Sequence, residues 1–187
     1  GLIGGSIAKA VRQYYPACEI IAFDKNKETL ALATQESTID VACTTIDDNF
    51  TNCNYIFLCT PVSYNTAYLK QLKNYLHDDC IITDVGSVKT SIHKEAAALD
   101  MEAYFIGGHP MAGSEKSGFV NAKALLIENA YYILTPTEKV PQEKIDAYAK
   151  FVDSLKALPV ILSYEEHDYI TGVISHLPHI IAATLVN

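Results

Sequence analysis

Hydrophobic positions along this 187-residue chain change their period repeatedly, and the changes divide it into alternating helices and strands. Small and apolar residues recur at helical spacing from Gly4 through Val11, which predicts a helix over about residues 4–14. Glu19-Ile20-Ile21-Ala22-Phe23-Asp24 is a short apolar run closed by an acid, the pattern of a buried strand. Residues 26–35 read as a helix and Asp40-Val41-Ala42-Cys43 as a short strand. The alternation then repeats. Tyr55-Ile56-Phe57-Leu58-Cys59 is a strand, Thr60-Pro61-Val62 a turn, and residues 63–75 a helix. Cys80-Ile81-Ile82-Thr83-Asp84-Val85 is a strand, Gly86-Ser87 a turn, residues 88–98 a helix, and Ala103-Tyr104-Phe105-Ile106-Gly107 another strand. Such alternation implies a mostly parallel sheet with helices on both faces.

After residue 110 the rhythm changes. Tyr131-Tyr132-Ile133-Leu134 reads as a strand, residues 141–156 as a helix and Pro159-Val160-Ile161-Leu162 as a last strand. A new helix starts near Ser163, with Pro178 inside it as an expected kink. The organisation expected is an α/β domain over residues 1–164 and the beginning of a helical domain over 165–187.

Chemistry enters at the turns. Gly1-Leu2-Ile3-Gly4 is the second half of a GxGxxG dinucleotide fingerprint, so a first strand and first glycine are expected before it. Glycine is needed there because the backbone approaches a pyrophosphate, which sits on the free N–H groups of the following helix. Asp24 ends the next strand, where an acid accepts hydrogen bonds from the adenosine ribose and repels a 2′-phosphate. The expected class is therefore a Rossmann-like, doubly wound α/β domain holding NAD, with Gly1, Leu2, Ile3, Gly4 and Asp24 as cofactor residues. Lys25, directly after the acid, leaves NADP as the alternative. A plain glycine turn with Asp24 as a helix cap is the competing structural reading. Thr60, Pro61 and Val62 leave a strand end and form a plausible cofactor wall, as does Gly86; Thr60 as a cap with Pro61 at the first helical position is the simpler account.

Two segments carry catalytic character. One is Thr83-Asp84-Val85-Gly86-Ser87-Val88-Lys89. The other runs from Gly107 to Gly118 and packs four glycines, a proline, a histidine and several polar side chains into what reads as one loop. His109 follows a strand end there, and an imidazole that titrates near neutrality can take a proton from a substrate alcohol while hydride leaves its carbon. Ser87 suits either a hydrogen bond to that imidazole or a helix N-cap. His176 and His179 lie three apart in Ser175-His176-Leu177-Pro178-His179, near one helix face; the spacing is compatible with a metal, but no carboxylate or thiol accompanies it, so core or substrate contact is expected and no metal. His77, His93 and His167 read as surface or capping residues.

Composition narrows the classes. Hydrophobic residues make up 49% and charged residues 19%, a globular balance. The net charge of −8 argues against nucleic acid or an acidic lipid surface as partner. No apolar stretch is long enough to span a bilayer. The five cysteines, Cys18, Cys43, Cys53, Cys59 and Cys80, are odd in number with no CxxC; Cys18, Cys59 and Cys80 lie beside apolar runs, and the cysteines read as buried reduced thiols of a cytosolic protein. Arg12 is the only arginine, and it lies on the first helix, away from the expected crevice. Lys89 and Lys116 are the remaining local cations for a carboxylate substrate.

Taken together, Gly1-Leu2-Ile3-Gly4-Gly5-Ser6, Asp84-Val85-Gly86-Ser87-Val88-Lys89, His109-Pro110-Met111-Ala112-Gly113-Ser114-Glu115 and Ser175-His176-Leu177-Pro178-His179 resemble the prephenate/arogenate dehydrogenase family, in that order and across the whole chain. The resemblance implies NAD-dependent oxidative decarboxylation of prephenate to 4-hydroxyphenylpyruvate, a step of tyrosine biosynthesis. It implies His109 as the base, Ser87 as an orienting hydroxyl, Ser114 and Glu115 as pocket residues and His179, with His176 beside it, as a substrate contact. It also implies a helical dimerisation domain with a substrate-binding arginine, hence a homodimer and a chain cut short at both ends. Rival readings are an arogenate dehydrogenase, another NAD-dependent hydroxy-acid dehydrogenase of the same architecture, and a non-catalytic NAD-binding module.

Overall fold

A computed structural model describes residues 1–186, apart from the side chains of His176, His179 and Val186. Seven strands and seven α-helices are described: α1 (Leu2–Tyr14), β1 (Ile21–Phe23), α2 (Lys27–Gln35), β2 (Val41–Cys43), β3 (Tyr55–Leu58), α3 (Val62–Leu72), β4 (Ile81–Asp84), α4 (Thr90–Ala98), β5 (Ile106–Pro110), β6 (Tyr131–Pro136), α5 (Gln142–Ser154), β7 (Leu158–Ile161), α6 (Tyr164–Thr171) and α7 (Leu177–Val186). β1 pairs with β2 and β3 with β4, both in parallel. A parallel bridge from Ile82 to Phe105 continues the sheet to β5, which pairs antiparallel with β6, and β6 pairs in parallel with β7. This is the Rossmann-like, mostly parallel arrangement that the alternating pattern implies.

Alternation along the strands builds two cores. Ile81 and Ile106 point to one face and pack with Ile7, Ala10 and Val11 of α1 and Tyr148 and Val152 of α5. Ile56, Leu58, Ile82 and Phe105 point to the other and pack with Leu69 and Leu72 of α3 and Ile92 and Ala96 of α4. Each such buried aliphatic side chain is worth roughly 1.5–3 kcal/mol over an exposed one, so helices on both faces are an energetic requirement of this strand pattern. Among the described residues no ladder joins β1 to β3. They face each other across a cavity of about 1040 Å³, lined also by α1, Phe119 and Phe151, where the sequence reading expects the strand before the glycine motif.

Four expectations need correction. α1 begins at Leu2 with Gly1 as its N-cap, and the first helical bond runs from the Gly5 amide to the Gly1 carbonyl at 3.0 Å. Leu2 and Ile3 therefore belong to the helix, not to a preceding turn. The fifth strand covers Ile106–Pro110, three residues later than expected, so His109 lies within a strand. The glycines that suggested a loop serve close packing instead. A Cβ on Gly108 would stand 2.6 Å from the Asp84 carbonyl oxygen and 2.7 Å from Thr83 Oγ1, and one on Gly107 would stand 2.3 Å from Thr135 Oγ1. Cys18, expected to be buried, is exposed, because it lies in the turn before β1 and not in the strand, whereas Cys43 and Cys80 are buried; all five thiols are free.

Pro178 is absorbed by a local change of helix type. A π-helical turn over Gly172–His176 separates α6 from α7 just before the proline. Widening the turn there accommodates a ring that carries no N–H and would clash with a regular α-turn. Along this C-terminal segment Tyr169, Ile174, Leu177, Ile180, Ile181 and Leu185 are exposed. No helix among the described residues is long and apolar enough to cross a membrane.

Gly108→Ala is expected to cost about 1–3 kcal/mol, because rigid backbone and a buried hydroxyl must move. Gly113→Ala, where a Cβ meets open space, should stay within about 0.5 kcal/mol of the parent. Urea unfolding of the two variants side by side checks both values.

Candidate active site

The carboxyl ends of β1, β3 and β4 carry the residues expected around a dinucleotide. Gly4 is where α1 meets the end of β3: a Cβ there would lie 2.9 Å from Cys59 Cβ. The backbone nitrogen of Gly1 stands 3.9 Å from Asp24 Oδ2, so the start of α1 and the acid after β1 share one corner. Asp24 is half-buried, and its Oδ1 accepts from the Asn26 amide at 2.8 Å. The cap of α2 is Asn26, whose Oδ1 accepts from Glu28 and Thr29, so Asp24 is not the cap.

On the next turn the expected cap is also displaced. Pro61 is the N-cap of α3, and the Thr60 hydroxyl donates to Asn65 Oδ1 at 2.7 Å. The buried Nδ2 of Asn65 has no hydrogen-bond partner among the described residues. Val62 lies against Gly86, which brings the turns after β3 and β4 together. The Gly86 amide donates to Asp84 Oδ2 at 2.9 Å, so it is already committed within the protein. The 1040 Å³ cavity reaches Gly1, Gly4, Asp24, Lys25, Thr60, Pro61 and Tyr64, but His109 does not line it.

At the end of β4 stands a buried ion pair. Lys89 Nζ donates to Asp84 Oδ1 and Oδ2, both at 2.5 Å, and to the Gly108 carbonyl at 2.7 Å. Both side chains are almost fully removed from solvent. Burial pulls the ammonium below the usual lysine range, and the Asp84 carboxylate opposes it. Asp84 Oδ1 also accepts from the Gly108 amide at 3.2 Å. Lys89 is therefore closed to substrate, contrary to the expectation that it helps to hold a carboxylate. Arg12 is equally engaged: it donates to Asp40 Oδ2 at 2.5 Å and to the carbonyls of Pro16 and Cys18.

His109 follows Gly108 and is half-buried. Its Nδ1 lies 2.8 Å from Nε2 of His167, a fully buried residue of α6. His167 Nδ1 lies 2.9 Å from Asp168 Oδ1. Asp168 in turn accepts from the amides of Lys89 at 2.7 Å and Thr90 at 2.8 Å, capping α4 from another helix. Burial alone would raise the Asp168 carboxyl, but hydrogen bonds from Thr90, His167 and the Lys89 amide outweigh it and hold it at about 2. Burial lowers His167, and the Lys89 ammonium adds to that, while the bond to Asp168 opposes it. His93, buried against Thr135, is lowered to about 4, first by burial and then by Lys89.

Several expectations change here. Ser87 is exposed, and among the described residues no hydrogen bond joins it to His109; nor is it the cap of α4, because Asp168 supplies the capping carboxylate. Ser114 and Glu115 are exposed, and Ser114 Oγ accepts the Lys116 amide at 3.2 Å. His167 and His93 are core residues, while His77 does brace a turn through Cys53 and Asp79. The side chains of His176 and His179 lie outside the described residues. The pairing of His167 with His109 crosses 58 residues and had no local signal.

With this geometry in place, comparison with known proteins assigns the family. Residues 7–161 match the family model described as prephenate dehydrogenase, nucleotide-binding domain, and residues 163–187 that described as prephenate dehydrogenase, dimerization domain. The chain belongs to the prephenate dehydrogenase family. It is 39% identical to the prephenate dehydrogenase of Bacillus subtilis (strain 168) over 189 residues, which cover 100% of this chain and 51% of that protein. The A. aeolicus prephenate dehydrogenase, solved in complex with hydroxyphenyl propionate and NAD+, superposes with a TM-score of 0.91 at 33% identity, over 99% of this chain and 65% of that one. Synechocystis arogenate dehydrogenase superposes with a TM-score of 0.89, also at 33% identity, over 99% of this chain and 65% of that one. The chain spans about half the length of the curated relatives it matches.

Within this member of the family the Asp84–Lys89 pair should dominate local stability. Lys89→Met strands a buried carboxylate and is expected to cost about 3–5 kcal/mol. Replacing both partners by apolar residues should cost less than this single change. Denaturant titration of the single and double variants separates the two costs.

Proposed function

We propose that this chain is the nucleotide-binding part, and the start of the dimerisation part, of an NAD-dependent enzyme that oxidatively decarboxylates prephenate to 4-hydroxyphenylpyruvate. The observation that carries the reading is His109, placed near the carboxyl end of β5 and tied through His167 to a carboxylate, on a sheet whose other strand ends present a dinucleotide corner. In open α/β sheets ligands lie outside those strand ends.

The residues present fit a dinucleotide. Gly4 lets α1 pack against Cys59 at the end of β3, the first-turn amides of α1 have no partner within the helix and can meet an anion, and Asp24 stands beside the start of α1 for ribose hydroxyls. Gly1, Leu2, Ile3, Gly4 and Asp24 would hold the cofactor, with Thr60, Pro61 and Val62 as its wall. When bound, NAD supplies the hydride acceptor. His109 takes the proton of the ring hydroxyl as the C–H bond on the same carbon breaks. The departing ring carboxylate leaves its electron pair to complete an aromatic ring, so the protein's task is to orient the substrate and hold one proton. Ser87, Ser114 and Glu115, all exposed, remain candidates for the substrate side, as do His176 and His179.

Prephenate carries two carboxylates, and each needs charge-assisted hydrogen bonds once desolvated. Arg12 and Lys89 are both committed elsewhere, and Lys116 is an exposed lysine without the planar fork that grips a carboxylate bidentately. The substrate's anionic groups are therefore assigned to the dimerisation domain, and the exposed apolar side chains of α6 and α7 to a homodimer contact. The setting proposed is the cytoplasm.

Two measurements test this reading. In a protein of the relatives' length, NADH absorbance with prephenate and with arogenate should show turnover, with NAD preferred over NADP, and sedimentation should show a dimer. A chain ending at Asn187 should show neither turnover nor a defined dimer. Absence of turnover with both substrates in the long form would defeat the proposal, and preference for arogenate would move it to that substrate. His109→Asn in the long form should lower kcat on the order of a hundredfold or more, with NAD affinity little changed. Near-parent kcat would return His109 to a structural role.

A further inference from the structure

We infer that Asp168 and His167 fix the tautomer of His109, so that a carboxylate on α6 arms a base carried by the sheet. This rests on the reading of His109 as the base, and it adds a positioning pair that the sequence pattern does not suggest.

The argument is one of counting hydrogens. Asp168 holds two backbone amides and stays ionised well below neutrality, so its oxygens only accept. The hydrogen in the 2.9 Å contact to His167 must therefore sit on His167 Nδ1. His167 is buried and kept neutral near pH 7, so it carries one hydrogen and its Nε2 is an acceptor. The 2.8 Å contact to His109 then needs its hydrogen from His109 Nδ1. A neutral His109 so held has its unprotonated nitrogen at Nε2. Thr171 Oγ1 lies 3.4 Å from His167 Nε2, too far to compete well for the same lone pair.

The pair also stabilises His109 once protonated. The imidazolium keeps its Nδ1–H bond to His167, whose own bond ends on the Asp168 charge, and no proton need move along the chain. Charged and titratable groups among the described residues surround this line. Lys89 and Asp84 face it from the β4–α4 turn, His93 from α4 and Glu165 from α6. Lys89 opposes a positive charge, but it is neutralised by Asp84 at 2.5 Å. Asp168 is itself immobilised, because its two oxygens sit on the N-terminus of α4. Position and tautomer thus come from one anchored carboxylate.

The relay also crosses a boundary. His109 lies in the segment matching the nucleotide-binding domain, and His167 and Asp168 lie in the segment matching the dimerization domain. The base is armed only when α6 is docked.

The decisive measurement is the protonation of His109 itself. In the full-length protein labelled with 15N-histidine, NMR at about pH 8 reads which ring nitrogen carries hydrogen, with the His109 signals assigned by their loss in His109→Asn. The expected pattern is a protonated Nδ1 and a bare Nε2. A protonated Nε2 overturns the inference, whether or not the protein turns over prephenate. Kinetics give a second arm. His167→Leu removes the acceptor and should lower kcat on the order of a hundredfold with KM little changed. Its acid limb should move to lower pH, because the imidazolium loses its partner. His167→Gln places an amide oxygen near the lost nitrogen and should recover kcat to within about tenfold of the parent. A leucine variant with parent kcat and an unmoved pH profile overturns the inference. Loss of turnover in the unsubstituted protein would instead count against the functional reading, and the NMR result would still decide the tautomer.

Discussion

The buried pair of Asp84 and Lys89 is the constraint on which the rest of the site depends. Two charges removed from water are tolerable only when every donor and acceptor is used. Here they are. The three hydrogens of Lys89 meet two carboxylate oxygens and the Gly108 carbonyl, and Asp84 takes further hydrogen bonds from the amides of Gly86 and Gly108. To reach those partners β5 must lie against the end of β4 more closely than a side chain permits. That is why Gly108 stands where it does, with Gly107 before it making room for Thr135, His93 and the Lys89 stem, and why His109 emerges at a fixed height one residue later.

Lys89 serves this arrangement twice. Its side chain closes the pair inside the sheet, and its amide, with that of Thr90, receives the Asp168 carboxylate from α6. The start of α4 is thus held from the sheet by one aspartate and from the C-terminal segment by another. A helix capped by its own serine would have left α6 without that anchor. The exposed Ser87 and the capping Asp168 are two aspects of one choice, in which the cap comes from tertiary structure because it also has to orient a histidine.

How much of this was legible follows from the range of each interaction. Strand and helix order was readable because period is local, and nearly all elements fall where the pattern puts them. The fifth strand shifted because Gly107-Gly108-His109-Pro110 has a loop's composition; glycine was read as freedom of the backbone when it marks close approach. Lys89 was read as an available cation, although a lysine five residues after a strand-end aspartate, across a glycine turn, is well placed to fold back on it. That Gly1 and Asp24 share a corner was readable because α1 leads directly into β1, whose end then falls beside the start of the helix. The His109–His167 contact was not, because nothing local relates residues 58 apart. One clue existed: the Ser163 and Glu166 capping box fixes where α6 starts, and so puts His167 and Thr171 on the same inward stripe.

The two halves of the proposed chemistry are built from different materials. On the proposed cofactor side the groups are backbone amides, a glycine and one half-buried acid, features of the sheet and α1. On the proton side the described contacts that orient the His109 ring are side chains, His167 and behind it Asp168, and both belong to α6. An enzyme so divided can bind its dinucleotide with a loosely docked C-terminal segment, but it cannot present a correctly protonated base until that segment is seated. If α7 and the exposed apolar row of α6 are held by a dimer contact, then association, seating of α6 and arming of His109 are successive consequences of one packing event. On that argument a base carried by the nucleotide-binding sheet would still depend on the dimerisation domain, even where no residue of that domain touched the reacting atoms.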